Sequence, residues 1–161
     1  MSSVVFYYAV PEQSLDSSDG ITIGSAPSES AHRFAAEGRV DRTLQSAFRG
    51  EQSSRVIEAT GIEAARTRFR LAIPADNHGV RLRRLADIGA GRQAADVSVN
   101  GQLVGNWYSA DVNPILRWAD LDFEIPEGVT RGRSSIDVDI DARQSPTPWT
   151  AYGYAVFSYS D

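Results

Sequence analysis

The sequence predicts an all-β fold: an antiparallel two-sheet sandwich, a single jelly roll, in one domain over residues 1–161. The first reason is that short segments alternate apolar and polar residues with period two. The second is that clusters of Pro, Gly and Asn separate those segments at short intervals. The third is that no segment shows a convincing helical period.

Residues 3–10 (SVVFYYAV) are β-branched and aromatic and predict a first strand, stopped by Pro11. Residues 11–24 are rich in Ser, Asp and Gly and predict a loop. Residues 28–36 (SESAHRFAA) have a faintly helical look but are assigned to a strand, because everything after them is β. Strands follow at 42–48 and at 54–60, the second ending at Gly61. At 67–73 (TRFRLAI), Phe69, Leu71 and Ile73 face one way and Arg68 and Arg70 the other. Residues 80–85 (VRLRRL) alternate in the same way, with a register change expected at Arg83 and Arg84. Asn100 and Gly101, between strands at 95–99 and 103–108, signal a hairpin. Gln102 suggests a bulged three-residue loop there as an alternative to a two-residue turn. Residues 118–125 (WADLDFEI) turn Leu121, Phe123 and Ile125 inward against Asp120, Asp122 and Glu124. Residues 135–142 (SIDVDIDA) place Asp137, Asp139 and Asp141 on a solvent face. A long aromatic strand at 149–159 closes the chain and is expected to pair with residues 6–8.

Composition narrows the function. The net charge of −5 disfavours nucleic acid as a partner. No apolar run approaches the roughly 20 residues that cross a bilayer, so no membrane role is expected. The start of the chain lacks the pattern of a secretory signal, which predicts a cytoplasmic protein or a domain cut from a longer secreted one. Without cysteine there are no disulfides and no thiolate metal sites. All 16 basic residues are arginine, which rules out Schiff-base chemistry; the first reading of this bias is the codon usage of a GC-rich genome, and the alternative is guanidinium forks on carboxylates or sugars. His32 and His78 have no metal spacing, and alternate aspartates on one strand form a row instead of a cage, so no metal is expected. No cofactor motif is present, since the GAGR stretch at 89–92 opens no helix.

The candidate site is carbohydrate-binding: Trp107, Tyr108, Asn113, Arg117, Trp118 and Asp120. Aromatic faces stack on sugar rings, while Asn, Arg and Asp meet hydroxyls. The competing reading makes the tryptophans core or interface residues.

The stretch NHGVRLRRLADIGAGRQAADVSVNGQLVGNWY, with Asn113 and RWADLDF at 117–123, resembles a β-sandwich domain of glycoside hydrolase family 172 proteins and their multidomain bacterial relatives. Residues 19–32 (DGITIGSAPSESAH) resemble the segment that precedes that domain. The resemblance implies a jelly roll, a carbohydrate context and a homo-oligomer, often a trimer, of subunits built from two such rolls. The family's Gly-Thr-Gly-Thr-Glu-Asp stretch is absent here, so no catalytic residue is carried over. The expected function is therefore a stand-alone, non-catalytic jelly-roll domain that binds a glycan. One alternative is a self-assembling structural jelly roll, a trimer or larger ring. Another is a small glycoside hydrolase using Asp120, Asp122 or Glu124 at a subunit interface.

Overall fold

A computed structural model describes residues 14–50 and 55–161. The strand expected at 3–10 and its pairing with the closing strand lie outside the described residues. The described chain holds β1 (Ser14–Ile21), α1 (Ala26–Ala31), β2 (Ala35–Glu37), β3 (Val40–Ala47), β4 (Val56–Glu63), β5 (Arg66–Ala72) and β6 (Val80–Asp87). It continues with β7 (Gln93–Val99), β8 (Gln102–Ser109), β9 (Trp118–Ile125), α2 (Glu127–Thr130), β10 (Ser135–Asp141), β11 (Thr150–Ala151) and β12 (Gly153–Ser160). The strands form sheets ordered β1-β12-β6-β9 and β2-β5-β10-β7-β8, with a smaller sheet β11-β4-β3. All named strand pairs are antiparallel. This is the predicted jelly-roll sandwich, with a third small sheet added.

The two larger sheets face each other across one hydrophobic cluster. Leu71, Val97, Ile136 and Ile140 come from one side, and Val80, Leu82, Ile125 and Val156 from the other. Aromatic rings bridge the layers: Phe69 to Tyr154 at 4.6 Å and Trp107 to Phe123 at 5.5 Å between centroids. Burial of this kind contributes roughly 1.5–3 kcal/mol per large apolar side chain.

Several expectations change. Residues 14–21 are a strand, not a loop. Its serines and acids bond to its neighbour, as Ser18 Oγ to Ser158 Oγ at 2.6 Å and Ser160 Oγ to Asp16 at 2.9 Å. A polar edge strand is made by ladder bonds, so its composition looks like a loop. Residues 26–31 are helix, not strand, begun by Ser25 as cap with Pro27 in the first turn. Arg84 causes no register change: β6 alternates without a break, and the guanidinium simply occupies an inward position. Asn100 and Gly101, at φ 53° and 80°, make a tight two-residue turn, because Val99 pairs directly with Gln102. The bulge falls further along β8, at Val104, where Leu103 pairs with Ser98 and Gly105 with Val97. β4 does not stop at Gly61 but runs on to Glu63, and the closing strand breaks at Tyr152.

Both outer faces carry ladders of arginine and carboxylate. On one, Arg70 faces Asp137, Arg68 faces Asp139 and Arg66 faces Asp141 across β5 and β10. Arg70 and Arg66 make two-pronged bonds of 2.6–2.8 Å to Asp137 and Asp139. On the other, Arg83 clasps Asp122 at 2.7 and 2.9 Å, and Arg81 bonds Glu124 at 2.6 Å. The aspartates of β10 are therefore matched by guanidinium forks. The forks hold Asp137 and Asp139 below the usual carboxylate range, and Arg143 brings Asp141 to about 2. Among the described residues, no cluster of His, Asp or Glu could hold a metal.

Candidate functional site

Three loops converge on one end of the sandwich. They are residues 88–92, 110–117 and 142–149, which follow β6, β8 and β10. The hairpin β3–β4 crosses the same end, because β4 pairs with β11 through Glu63 and Thr150. Two depressions open side by side there. One of about 270 Å³ is lined by Arg42, Thr43, Leu44, Glu63, Asp87, Arg117 and Tyr152. Beside it, about 300 Å³ lies between Gly89, Ala90, Pro114 and Arg117.

Two glycines shape the recess. A Cβ on Gly61 would stand 2.4 Å from the Tyr152 ring and 2.6 Å from the Ala151 carbonyl. The Tyr152 ring therefore lies flat on bare backbone, which is why β4 carries a glycine in mid-strand. Its other side meets Trp118 edge-on, at 4.6 Å and 79°. A Cβ on Gly89 would stand 2.7 Å from Arg117 Nε, so a glycine there lets the guanidinium lie along the loop.

The recess is polar, and its charges balance. Arg117 grips Asp87 with Nε and Nη2, the first bond being 2.9 Å. Asp87 also accepts from the Gly89 amide at 2.8 Å. Arg42 Nε donates to Glu63 at 3.2 Å. The Tyr152 hydroxyl forms no hydrogen bond among the described residues; burial and then Asp87 push its pKa up, so it stays a neutral phenol. Two guanidiniums, two carboxylates and a phenol thus present donors and acceptors side by side with no net charge. Such a surface suits a neutral ligand whose hydroxyls both donate and accept.

The residues expected from sequence divide into three groups. Arg117 lines the recess, and Asn113 shapes its loop, its side-chain oxygen accepting from the Ile115 and Leu116 amides at 3.0 and 2.9 Å. Tyr108 is exposed at 55 %, on the outward face of β8 near the end of that strand. The third group lies elsewhere. Trp107 and Trp118 are core residues, 3 % and 0 % exposed, and an indole without an open face cannot stack on a sugar. Trp107 packs on Phe123 and Trp149, and Trp118 donates to the Ile57 carbonyl at 3.2 Å. Asp120 sits exposed on the outer face of β9, opposite Leu85. Its neighbours Asp122 and Glu124 are engaged by Arg83 and Arg81, away from the loop end. Tyr152, Asp87, Arg42 and Glu63 were not expected. The one sequence signal for them was a glycine inside a strand, at position 61.

No protein-family model matches the sequence, and no curated protein matches it. Solved structures do. A family 35 carbohydrate binding module from an environmental isolate aligns with a TM-score of 0.51 at 14 % identity, over 85 % of this chain and 90 % of the module. A CBM35 from Paenibacillus barcinonensis aligns at 0.49 and 10 % identity, over 80 % of this chain and 92 % of that one. A family 35 module from Clostridium thermocellum aligns at 0.49 and 8 % identity, over 78 % and 90 %. The likeness to the environmental module establishes a shared fold.

Proposed function

We propose that this chain is a carbohydrate-binding β-sandwich module without catalytic chemistry of its own, and that its glycan enters the recess between the β3–β4 hairpin and the loop at 110–117. The observation that carries this reading is the charge-balanced set of Arg42, Glu63, Asp87, Arg117 and the unbonded Tyr152 hydroxyl in one depression. The carbohydrate-binding module whose fold it shares gives independent support for the ligand class. Sugar hydroxyls would take the place of water between the two ion pairs. Exposed Val112 and Ile115 on the adjoining loop, at 58 % and 80 %, offer apolar contact to the ring faces. Kinship with glycoside hydrolase family 172 domains, and assembly into a homo-oligomer, belong to the same proposal and rest on the sequence resemblance; light scattering on the protein tests the assembly.

The test is a glycan array followed by calorimetric titration of the best ligand. Wild-type protein should bind. Arg42→Ala and Tyr152→Phe should each weaken binding about tenfold, the factor that one hydrogen bond to a ligand commands. No binding by wild-type protein across a broad neutral-glycan array would overturn the reading.

A further inference from the structure

The recess is tied to the core by a chain of buried polar groups that the binding surface itself does not include. Its inner end is Arg84, fully buried with no carboxylate beside it among the described residues. Burial pulls this guanidinium down to about 10, with Tyr154 opposing the shift. The guanidinium carbon lies 3.5 Å over the Trp149 ring centroid and 5.2 Å from that of Trp107. Its Nε and Nη2 have no partner among the described residues, while Nη1 donates to the Thr150 carbonyl at 2.6 Å and to Gln93 Oε1 at 2.7 Å.

Gln93 is the hub, and it is 1 % exposed. Its Oε1 also accepts from the Thr150 amide at 2.9 Å, while its Nε2 donates to the Asp87 carbonyl at 2.7 Å. Two donors facing the oxygen and one acceptor facing the nitrogen leave a single orientation for the side-chain amide. The Asp87 amide donates in turn to Thr150 Oγ1 at 3.1 Å. Both backbone groups of Asp87 are thus held from inside the core, and its carboxylate holds Arg117 at the recess.

We propose that Gln93, anchored by Arg84, is the positioning residue of the recess: it fixes the Asp87 backbone and, through it, the Arg117 fork. A cation with no counter-ion is costly to bury, and an apolar residue would fill this part of the core at lower cost. What Arg84 supplies that an apolar residue cannot is a donor aimed at Gln93. Tight preorganisation of a binding group from behind is what such a network provides.

Gln93→Glu separates this role from simple packing. Glutamate keeps the acceptor for Arg84 and Thr150 and gives Arg84 a counter-ion, both of which favour the native fold. It replaces the donor to the Asp87 carbonyl by a second acceptor, which pushes that carbonyl away. The readout is hydrogen exchange of the Arg117 Nε–H by NMR, its signal assigned by its loss in Arg117→Lys. Exchange should rise about tenfold in Gln93→Glu, the factor one lost hydrogen bond implies. Thr150→Val, a near-isosteric change that removes only the Oγ1 link, should act in the same direction whether or not Gln93→Glu folds. Exchange at the wild-type rate in both variants, or in Thr150→Val alone if Gln93→Glu does not fold, would overturn the inference. The effect on glycan affinity, a further loss of about tenfold in the same variants, rests on the recess being the glycan site. The exchange measurement does not, so failure of one is distinguishable from failure of the other.

Discussion

Arg117 on Asp87 in the recess and Arg70 on Asp137 on the sheet face are the same chemical pair in two surroundings. Both guanidiniums are similarly open to water, at 39 % and 38 % of the side chain. The carboxylates differ: Asp137 is 58 % exposed, and Asp87 only 12 %. Asp137 stands on a flat ladder with arginines on the facing strand, and water can replace either partner. Asp87 stands at the end of a strand, with its backbone held by Gln93 and Thr150. Exposed pairs of the first kind contribute about 0–1 kcal/mol, so the ladders keep the outer faces soluble and in register more than they stabilise them. The pair in the recess is built to stay in place, as a binding group must be.

The sharpest way to break this contrast acts on the recess wall. Gly61→Ala should destabilise the protein by about 3 kcal/mol, since its methyl would meet both the Tyr152 ring and the Ala151 carbonyl. Urea denaturation measures it; an unchanged midpoint would mean that Tyr152 does not lie against β4 as described. Next in size, Asp87→Asn should cost roughly 2 kcal/mol, because a partly buried guanidinium loses its charged partner. The parallel change Asp137→Asn should stay within about 1 kcal/mol. Equal losses at the two sites would erase the distinction between ladder and recess.

How far these two regions could be foreseen differs, and the reason is physical. The ladder strands β5, β9 and β10 were legible because their side chains alternate strictly, one face apolar and one charged. The Asn100–Gly101 turn was legible because both residues tolerate positive φ. β1 was not, since an edge strand owes its form to bonds with β12 and its sequence SLDSSDGI resembles a loop. Arg84 misled because a charged residue on the core side breaks the pattern that defines the core. The recess was harder still. Its residues come from β3, β4, β6, β11–β12 and the loop at 110–117, and no local spacing joins them. The sequence marks Arg117 and Asn113 together with Trp107 and Trp118, but both indoles are buried, Trp107 between the two larger sheets and Trp118 against β4 and Tyr152. Large aromatics serve both purposes, and sequence alone does not separate them.

The smallest expected effect lies away from both regions, at the link between β1, α1 and β5. His32 Nδ1 lies 2.6 Å from the Ser28 carbonyl and Nε2 lies 3.1 Å from Asp19, which also accepts from the Ala72 amide at 2.7 Å. Both ring nitrogens face acceptors, so the ring is best satisfied as the cation. Burial opposes that charge, but the Ser28 carbonyl and Asp19 outweigh it and raise the pKa above 6.5. The stabilisation from a raised pKa is fully present below 6.5 and fades as pH climbs through the folded value. Thermal melts should therefore show a modest decline across that range in wild-type protein and a flatter profile in His32→Gln. A wild-type profile that rises with pH there would contradict the link.

Whether a glycan enters the recess is decided by amide shift mapping by NMR during titration with the best neutral glycan from the array. Perturbed amides should cluster at Thr43, Gly61, Gly89 and Arg117, around the recess, with the arginine–aspartate ladder of β5 and β10 unmoved. Shifts centred on that ladder, or on the outer face of β8 around Tyr108, would contradict a glycan in the recess and place the ligand on the flat face of the sandwich.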